Sequence, residues 1–217
     1  MNIALIPAKS FSRRIPNKNF MDFCDKPLVL WSIDQALDSK LIDKVVVSTD
    51  SNYFRGSLPM STKRINLDRP KSLCTDTTTQ EEVIAHAIEV LNLNGNDNIV
   101  LLQPTSPLRL PGDIDNCIKR QTSFSLNSVI SVTNDNEPFF FDQKGYRYEL
   151  DGTAQRENGS IYVIPIRSFK AWKSRYSKEA IFNLLYPMAK WQQFEIDEPE
   201  DIPIVECMFK RYILKEG

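Results

Sequence analysis

The first constraints on this chain come from what it lacks. It holds a single histidine, His86, in a stretch of helical apolar spacing. One lone imidazole there reads as a structural helix residue rather than a general base. The four cysteines, Cys24, Cys74, Cys117 and Cys207, are scattered, with no Cys-x-x-Cys pair. That excludes the usual zinc spacings and a disulfide framework, and leaves reduced thiols in a cytoplasmic protein as the expectation. No segment approaches the roughly 18 uninterrupted apolar residues of a membrane span, so no membrane partner is expected. The opening MNIALIPAKS has no basic region ahead of its short apolar run, so it does not read as a signal peptide. Net charge is missing too, with 27 basic residues against 28 acidic ones. Without a broad basic field, nucleic acid is not an expected partner, although a local basic pocket for one nucleotide remains open.

What the sequence does have is alternation. Asn2 to Ile6 is a short apolar run stopped by Pro7, and Pro27 to Leu37 has helical spacing with Pro27 in its first turn. Lys44 to Asp50 is a β-branched run too short for a helix. Thr77 to Leu93 returns to helical spacing, Asn98 to Gln103 to a strand, Gly112 to Gln121 to a helix and Ser128 to Thr133 to a strand. Strands that alternate with helices and are apolar throughout predict a mostly parallel sheet covered on both faces. After Asn134 the pattern changes. Pro138 to Phe141, a turn at Gln143-Lys144-Gly145, and Tyr146 to Tyr148 predict a hairpin extension around 134–158. The aromatic run Phe139 to Phe141 is expected in a core or at an oligomer contact. Ser160 to Pro165 reads as a strand, Phe194 to Asp197 as a strand end, and Pro199 to Tyr212 as a closing helix. One α/β domain over residues 1–217 is the expectation. Ligands of such sheets bind beyond the carboxyl ends of the strands, which points to the turns after Ile6, Val47 and Gln103 and to the neighbourhood of Asp197.

The stretch from Pro7 to Asn19 lies in the first of those turns and carries Lys9, Arg13, Arg14 and Lys18 with the hydroxyls of Ser10 and Ser12. A polyphosphate calls for converging cations and hydrogen-bond donors, which this loop can supply. A solvated basic loop has the same composition, and spacing alone leaves the two equal. Glu195 and Asp197 stand two apart on the predicted strand end, so both carboxylates can share one face and suit Mg²⁺ or another divalent cation. Glu200 and Asp201 read instead as an acidic first turn of the closing helix.

The same loop resembles the N-terminal signature of the CMP-sialic acid synthetases (acylneuraminate cytidylyltransferases), Ile-Pro-Ala-Arg-Gly-Gly-Ser-Lys-Gly-Ile-Pro-x-Lys-Asn. Four further stretches agree in order: Arg69-Pro70-x-x-Leu73-x-x-Asp76-Thr77, Leu101-Leu102-Gln103-Pro104-Thr105-Ser106-Pro107-Leu108-Arg109, Arg156-x-Asn158-Gly159-Ser160-Ile161-Tyr162, and Glu195-Ile196-Asp197-Glu198-Pro199-Glu200-Asp201. The resemblance implies a three-layer Rossmann-like nucleotidyltransferase fold. It also implies a reaction in which the anomeric hydroxyl of a nonulosonic sugar acid attacks the α-phosphate of CTP and releases pyrophosphate. By similarity, Lys9, Ser12, Arg13 and Lys18 hold the triphosphate, with Lys18 nearest the reacting phosphorus and Lys9 and Arg13 as further catalytic cations. Asn19, Arg69 and Gln80 belong to the nucleotide side. Gln103, Arg156 and Asn158 belong to the sugar side, with Arg156 clamping the carboxylate. Asp197 and Glu195 hold Mg²⁺. CTP and a sugar acid are the implied partners, and a homodimer is compatible with the family.

The sequence departs from the pattern in two places. Ser10, Phe11 and Arg14 stand where the family has glycines, and Lys9 replaces an arginine, which keeps the charge but not the two-pronged grip. The stretches Ser131 to Arg156 and Ser51 to Asp68 are also short for the family, which leaves the acceptor and the dimer open. Two alternatives therefore stand beside the leading reading. One is CMP transfer to another acidic acceptor, Kdo-like or a phosphonate. The other is a homologue that binds nucleotide or a partner without turnover.

Overall fold

A computed structural model of the chain describes residues 1–52, 61–123, 126–135, 139–141, 147–149, 154–179 and 182–216. Its centre is a seven-stranded sheet in the spatial order β11-β7-β10-β6-β1-β4-β5. The strands are β1 (Asn2–Pro7), β4 (Lys44–Thr49), β5 (Arg64–Asp68), β6 (Asn98–Leu102), β7 (Ser128–Asp135), β10 (Ala154–Pro165) and β11 (Asn183–Met188). β1 pairs in parallel with β4 and β6, β4 with β5, and β11 with β7, while β10 runs antiparallel to both its neighbours. The helices are α1 (Leu28–Asp38), α2 (Gln80–Val90), α3 (Asp113–Thr122), α4 (Ile166–Trp172) and α5 (Asp201–Phe209). β2 (Asp22–Phe23) and β3 (Lys26–Pro27) make a small ribbon ahead of α1.

Side-chain alternation along the strands builds three layers. Ala4 and Ile6 of β1 join Val29, Ile33 and Ala36 of α1 and Ile114, Cys117 and Ile118 of α3. Ile3 and Leu5 point the other way, onto Ile84, Ala87 and Ile88 of α2 and Ile166 and Phe169 of α4. A third cluster beside the sheet gathers Phe23, Leu28, Leu108, Ile196, Val205 and Phe209, and so seats α5. His86 lies on α2 as expected.

The structure revises several expected boundaries. Phe194 to Asp197 is not a strand: it follows a 3₁₀ turn at Lys190–Gln193 and is tied to the β6 side through Ile196 N–H to the Thr105 carbonyl at 2.8 Å. β10 begins at Ala154, before the expected Ser160, because Arg156 and Glu157 pair with Thr133 and Val132 ahead of a register shift. The closing helix starts at Asp201 and ends in a π-helical turn, Lys210–Leu214. The hairpin is represented by β8 (Phe139–Phe141) and β9 (Arg147–Glu149), paired antiparallel in a sheet of their own. Its turn at Gln143-Lys144-Gly145, together with Pro138 and Tyr146, lies outside the described residues, as does the packing of the Phe139 to Phe141 side chains.

Candidate active site

The carboxyl ends of β1, β4, β5 and β6 share one edge of the sheet, and a cleft of about 280 Å³ opens there. Pro7, Lys9, Ser12, Arg14, Lys18 and Asn19 line it from the first loop. Arg69 after β5, Thr78 to Gln80 at the start of α2, Gln103 to Thr105 after β6, and Asp197 are also in the wall. An adjoining hollow is lined by Lys9, Ser12, Arg13, Arg14, Lys18 and Asp76. The two compartments share four residues of the loop and so form one continuous basic trough.

The decisive contact is at Lys18. Its side chain is 11% exposed, and its ammonium donates to the Ile196 carbonyl at 2.7 Å and to Asp197 Oδ1 at 3.2 Å. The opening loop and the acidic segment before α5 therefore face each other across one cleft. Asp201 fixes the acidic side, since its Oδ2 accepts the backbone N–H groups of Asp197 and Glu198, each at 2.8 Å. Those two bonds hold the Asp201 carboxyl below the usual carboxylate range.

The remaining cations are also paired. Asp76 Oδ2 accepts from Arg13 Nε at 2.7 Å, and Asp76 Oδ1 lies 3.5 Å from Lys9 Nζ, while Arg14 meets Glu198 at 2.8 Å. Ser10, Phe11 and Arg14 all avoid positive φ, and within the loop only Asn17 adopts it, at 53°. The loop thus has no need of glycine at those three places. Phe11 is 61% exposed, outside the cleft lining.

After β5, Arg69 is 6% exposed and donates from Nε to Ser48 Oγ at 3.0 Å and from Nη2 to the Ser48 carbonyl at 2.8 Å. Burial pulls its guanidinium below the usual value. Asn19 donates its side-chain amide to the Lys9 carbonyl at 2.9 Å and so steadies the loop from beneath. Gln80 Nε2 donates to Gln103 Oε1 at 3.2 Å, and Gln103 Nε2 donates to the Gly159 carbonyl at 2.9 Å.

That chain of amides leads to Gly159 and its neighbour Glu195. Glu195 Oε2 lies 3.3 Å from Ser106 Oγ. Burial, aided by the charge of Asp197, raises the Glu195 carboxyl, while Ser106, Lys18 and Arg156 oppose the shift. Gly159 has φ +68°, and a Cβ there would fall 3.0 Å from Glu195 Oε2, 3.1 Å from Ser106 Oγ and 3.2 Å from Gln103 Nε2. Arg156 is exposed on β10, outside the cleft lining but close enough to Glu195 for their charges to interact. Asn158 is 4% exposed. Its amide oxygen accepts from Ser131 Oγ at 2.6 Å and from Ser160 N–H at 3.2 Å. Its side chain is thus engaged within β7 and β10.

Three groups with large parts in this geometry carried no role in the sequence reading: Asp50, Asp76 and Arg109. Arg109 is 1% exposed, with Nε and Nη2 on the Ser160 carbonyl (3.0 and 2.8 Å), Nη2 on the Gln103 carbonyl (2.8 Å) and Nη1 on Ser32 Oγ and Gln35 Oε1 (3.1 and 3.0 Å). Burial lowers it to about 9, so it stays charged at neutral pH. It closed a quoted motif, and that membership was the only available signal.

Comparison with known proteins settles the family. The sequence profile of the cytidylyltransferases matches residues 3–183. The chain belongs to the cytidylyltransferase family. It is 32% identical to an N-acylneuraminate cytidylyltransferase of Escherichia coli, over 93% of this chain but 50% of that protein. It is 30% identical to the CMP-N,N'-diacetyllegionaminic acid synthase of Legionella pneumophila, with 96% of each covered. This cytidylyltransferase chain spans about half the length of the N-acylneuraminate cytidylyltransferases it matches. The solved structure of a CMP:2-keto-3-deoxy-manno-octonic acid synthetase complexed with CTP superposes with a TM-score of 0.72 at 16% identity, covering 97% of this chain and 98% of the other. That likeness confirms the Rossmann-like three-layer fold.

Proposed function

We propose that the chain transfers CMP from CTP to the anomeric hydroxyl of a nonulosonic, sialic-acid-like sugar acid and releases pyrophosphate. The observation that carries this reading is the Lys18–Asp197 contact, which brings the basic trough and the acidic segment before α5 together. The family and the relatives named above support it. In the reaction a bond forms between the anomeric oxygen and the α-phosphorus, and the bond from that phosphorus to the bridging oxygen breaks. The pair of electrons leaves with pyrophosphate, and the proton of the attacking hydroxyl is released to solvent. Such transfers need positioning and charge neutralisation more than covalent help.

Lys9, Ser12, Arg13 and Arg14 surround the path of the triphosphate tail, and Lys18 stands deepest, toward Gln103 and Asp197. Each cation has a carboxylate partner in a partly exposed pair, and such pairs contribute only about 0–1 kcal/mol. A triphosphate can therefore displace those carboxylates at little cost, while the Thr75 and Ile196 carbonyls still anchor Lys9 and Lys18. The donor set also suits Mg²⁺, which binds through one or two carboxylates together with substrate phosphates. Asp197 is half exposed beside the trough, with Glu195 behind it. Among the described residues no three or more His, Cys, Asp or Glu side chains converge, so these two would share the cation with the triphosphate. Bound there, it would neutralise charge on the phosphates. Arg156, on the sugar side of Glu195, would meet the acceptor carboxylate. The free thiols of Cys24, Cys74, Cys117 and Cys207 suit a cytoplasmic setting. Among the described residues, no helix is long and apolar enough to cross a membrane.

The test is pyrophosphate release with CTP, Mg²⁺ and a panel of sugar acids. Release that requires a nonulosonic acid supports the reading. Release with only a Kdo-like acid or a phosphonate moves the activity to that acceptor. CTP binding with no release for any acid makes the chain a non-catalytic homologue.

A further inference from the structure

The phosphate loop has lost the glycines of its relatives' signature, and one carboxylate outside the known motifs takes hold of it at that spot. Asp50 follows directly after β4. Its Oδ1 accepts the Ser10 backbone N–H at 2.7 Å, and its Oδ2 accepts the Ser10 hydroxyl at 2.7 Å. The loop is also bonded to the same strand end through Ala8 N–H to the Ser48 carbonyl at 2.9 Å, and Arg69 lies on that strand end through the Ser48 carbonyl and hydroxyl. The end of β4 thus ties the triphosphate side of the cleft to the nucleotide side.

A carboxylate beside a polyanion site is electrostatically adverse, so its presence needs a compensating role. Burial pushes the Asp50 carboxyl up, but the two Ser10 bonds and the charge of Arg69 outweigh it and hold it below its usual range. It is ionised and fully engaged at neutral pH. A loop built on glycine amides would offer the N–H of residue 10 to phosphate. Here that N–H is given to Asp50, and the phosphate must be met by the groups that follow, Ser12, Arg13 and Arg14, whose aim depends on where Ser10 is held.

We propose that Asp50 is a positioning residue for triphosphate binding, acting through its two-pronged hold on Ser10 in place of the glycine-built loop. The inference rests on the CTP-dependent reading of the site. It bears mainly on the phosphate tail, because Asp50 hydrogen-bonds to the loop through Ser10, whereas its link to the nucleotide side is only the charge of Arg69.

Calorimetric titration of the intact chain with CTP and with CMP, in Mg²⁺, tests it. Asp50→Ala is expected to weaken CTP about tenfold, the scale of losing one well-placed charged hydrogen bond, while CMP changes less than about twofold. Asp50→Asn can keep both contacts, its oxygen accepting the N–H and its amide donating to the hydroxyl, so it should recover most of the CTP affinity. Ser10→Ala, which removes only the hydroxyl, should fall between and serves if Asp50→Ala does not fold. Equal losses for CTP and CMP, no loss in either alanine variant, or an Asp50→Asn variant as weak as Asp50→Ala would each overturn the inference. Wild-type chain that fails to bind CTP at all would instead remove the cytidylyltransferase reading, and this inference with it.

Discussion

Replacing Arg109 by leucine should destabilise the protein more than removing any cation of the cleft. The guanidinium is 1% exposed and donates to the Gln103 and Ser160 carbonyls, Ser32 Oγ and Gln35 Oε1. Leucine keeps part of the apolar stem and removes every donor. The two side chains can turn to other partners, whereas the two carbonyls belong to fixed backbone. The Gln103 carbonyl keeps the Ser106 N–H at 3.2 Å, whereas the Ser160 carbonyl loses both bonds it accepts from the guanidinium. Leaving a buried acceptor unmet costs about 1–3 kcal/mol, and losing a hydrogen bond from a charged group about 1.5–3 kcal/mol. Removing a buried charge offsets part of that, because the charge itself was costly to desolvate. A net loss of roughly 3 kcal/mol remains, which lowers Tm by about 6–12 °C in a chain of this size. Differential scanning calorimetry or fluorimetry reads it directly. Arg109→Lys should recover less than half, since one ammonium cannot reproduce the planar fork that reaches both carbonyls. A fall below about 2 °C for Arg109→Leu would refute the reasoning, because the carbonyls would then not depend on this donor.

Lys18→Ala and Asp197→Ala should each lower pyrophosphate release at least about 100-fold, the scale of losing one group aimed at developing charge, with Tm little changed. Near-normal rates in both would place the chemistry elsewhere. Gly159→Ala should cost about 1–2 kcal/mol for its left-handed backbone and raise the acceptor KM by crowding Glu195, Ser106 and Gln103; an unchanged KM would separate Gly159 from the sugar side. Glu195→Gln should be more thermostable than the parent near pH 8 and equal to it near pH 4. A carboxyl raised in the fold ionises first in the unfolded chain, so it drains stability as pH climbs through the ordinary carboxylate value and on to the raised one. A Tm difference independent of pH would contradict the shift.

Much of the architecture is legible in the sequence because apolar periodicity depends on local geometry. α1, α2 and α3 sit within a few residues of their expected spans, and β4, β6 and β7 start where their apolar runs start. The direction of β10 is not legible, since the same apolar run suits a strand of either sense, and its polar first half, Gln155 to Asn158, hides its length. β5 and β11 were missed: Arg64 to Asp68 is half polar, and Asn183 to Met188 contains a proline tolerable at a sheet edge. The acidic pair teaches a different lesson. No ladder holds Glu195 and Asp197, yet Ile196 between them is fully buried in the third core cluster. With Ile196 pointing into the core, Asp197 lines the cleft beside Lys18 while Glu195 turns to Ser106.

The charged residues in and behind the cleft differ in what holds them, and spacing cannot tell them apart. Arg109 and Arg69 are 1% and 6% exposed and hold backbone carbonyls that no ligand can replace. Arg13 and Arg14 are exposed and are held by the carboxylates of Asp76 and Glu198. Lys9 and Lys18 stand between, each shared by a carboxylate, Asp76 or Asp197, and a backbone carbonyl, Thr75 or Ile196. A hydrogen bond to a buried charge contributes about 1.5–3 kcal/mol, and an exposed ion pair about 0–1 kcal/mol. The two buried arginines therefore stay in place when an anion arrives, Arg13 and Arg14 exchange partners, and the lysines release a carboxylate while a carbonyl anchors them. The division assigns scaffold and working groups by energy alone.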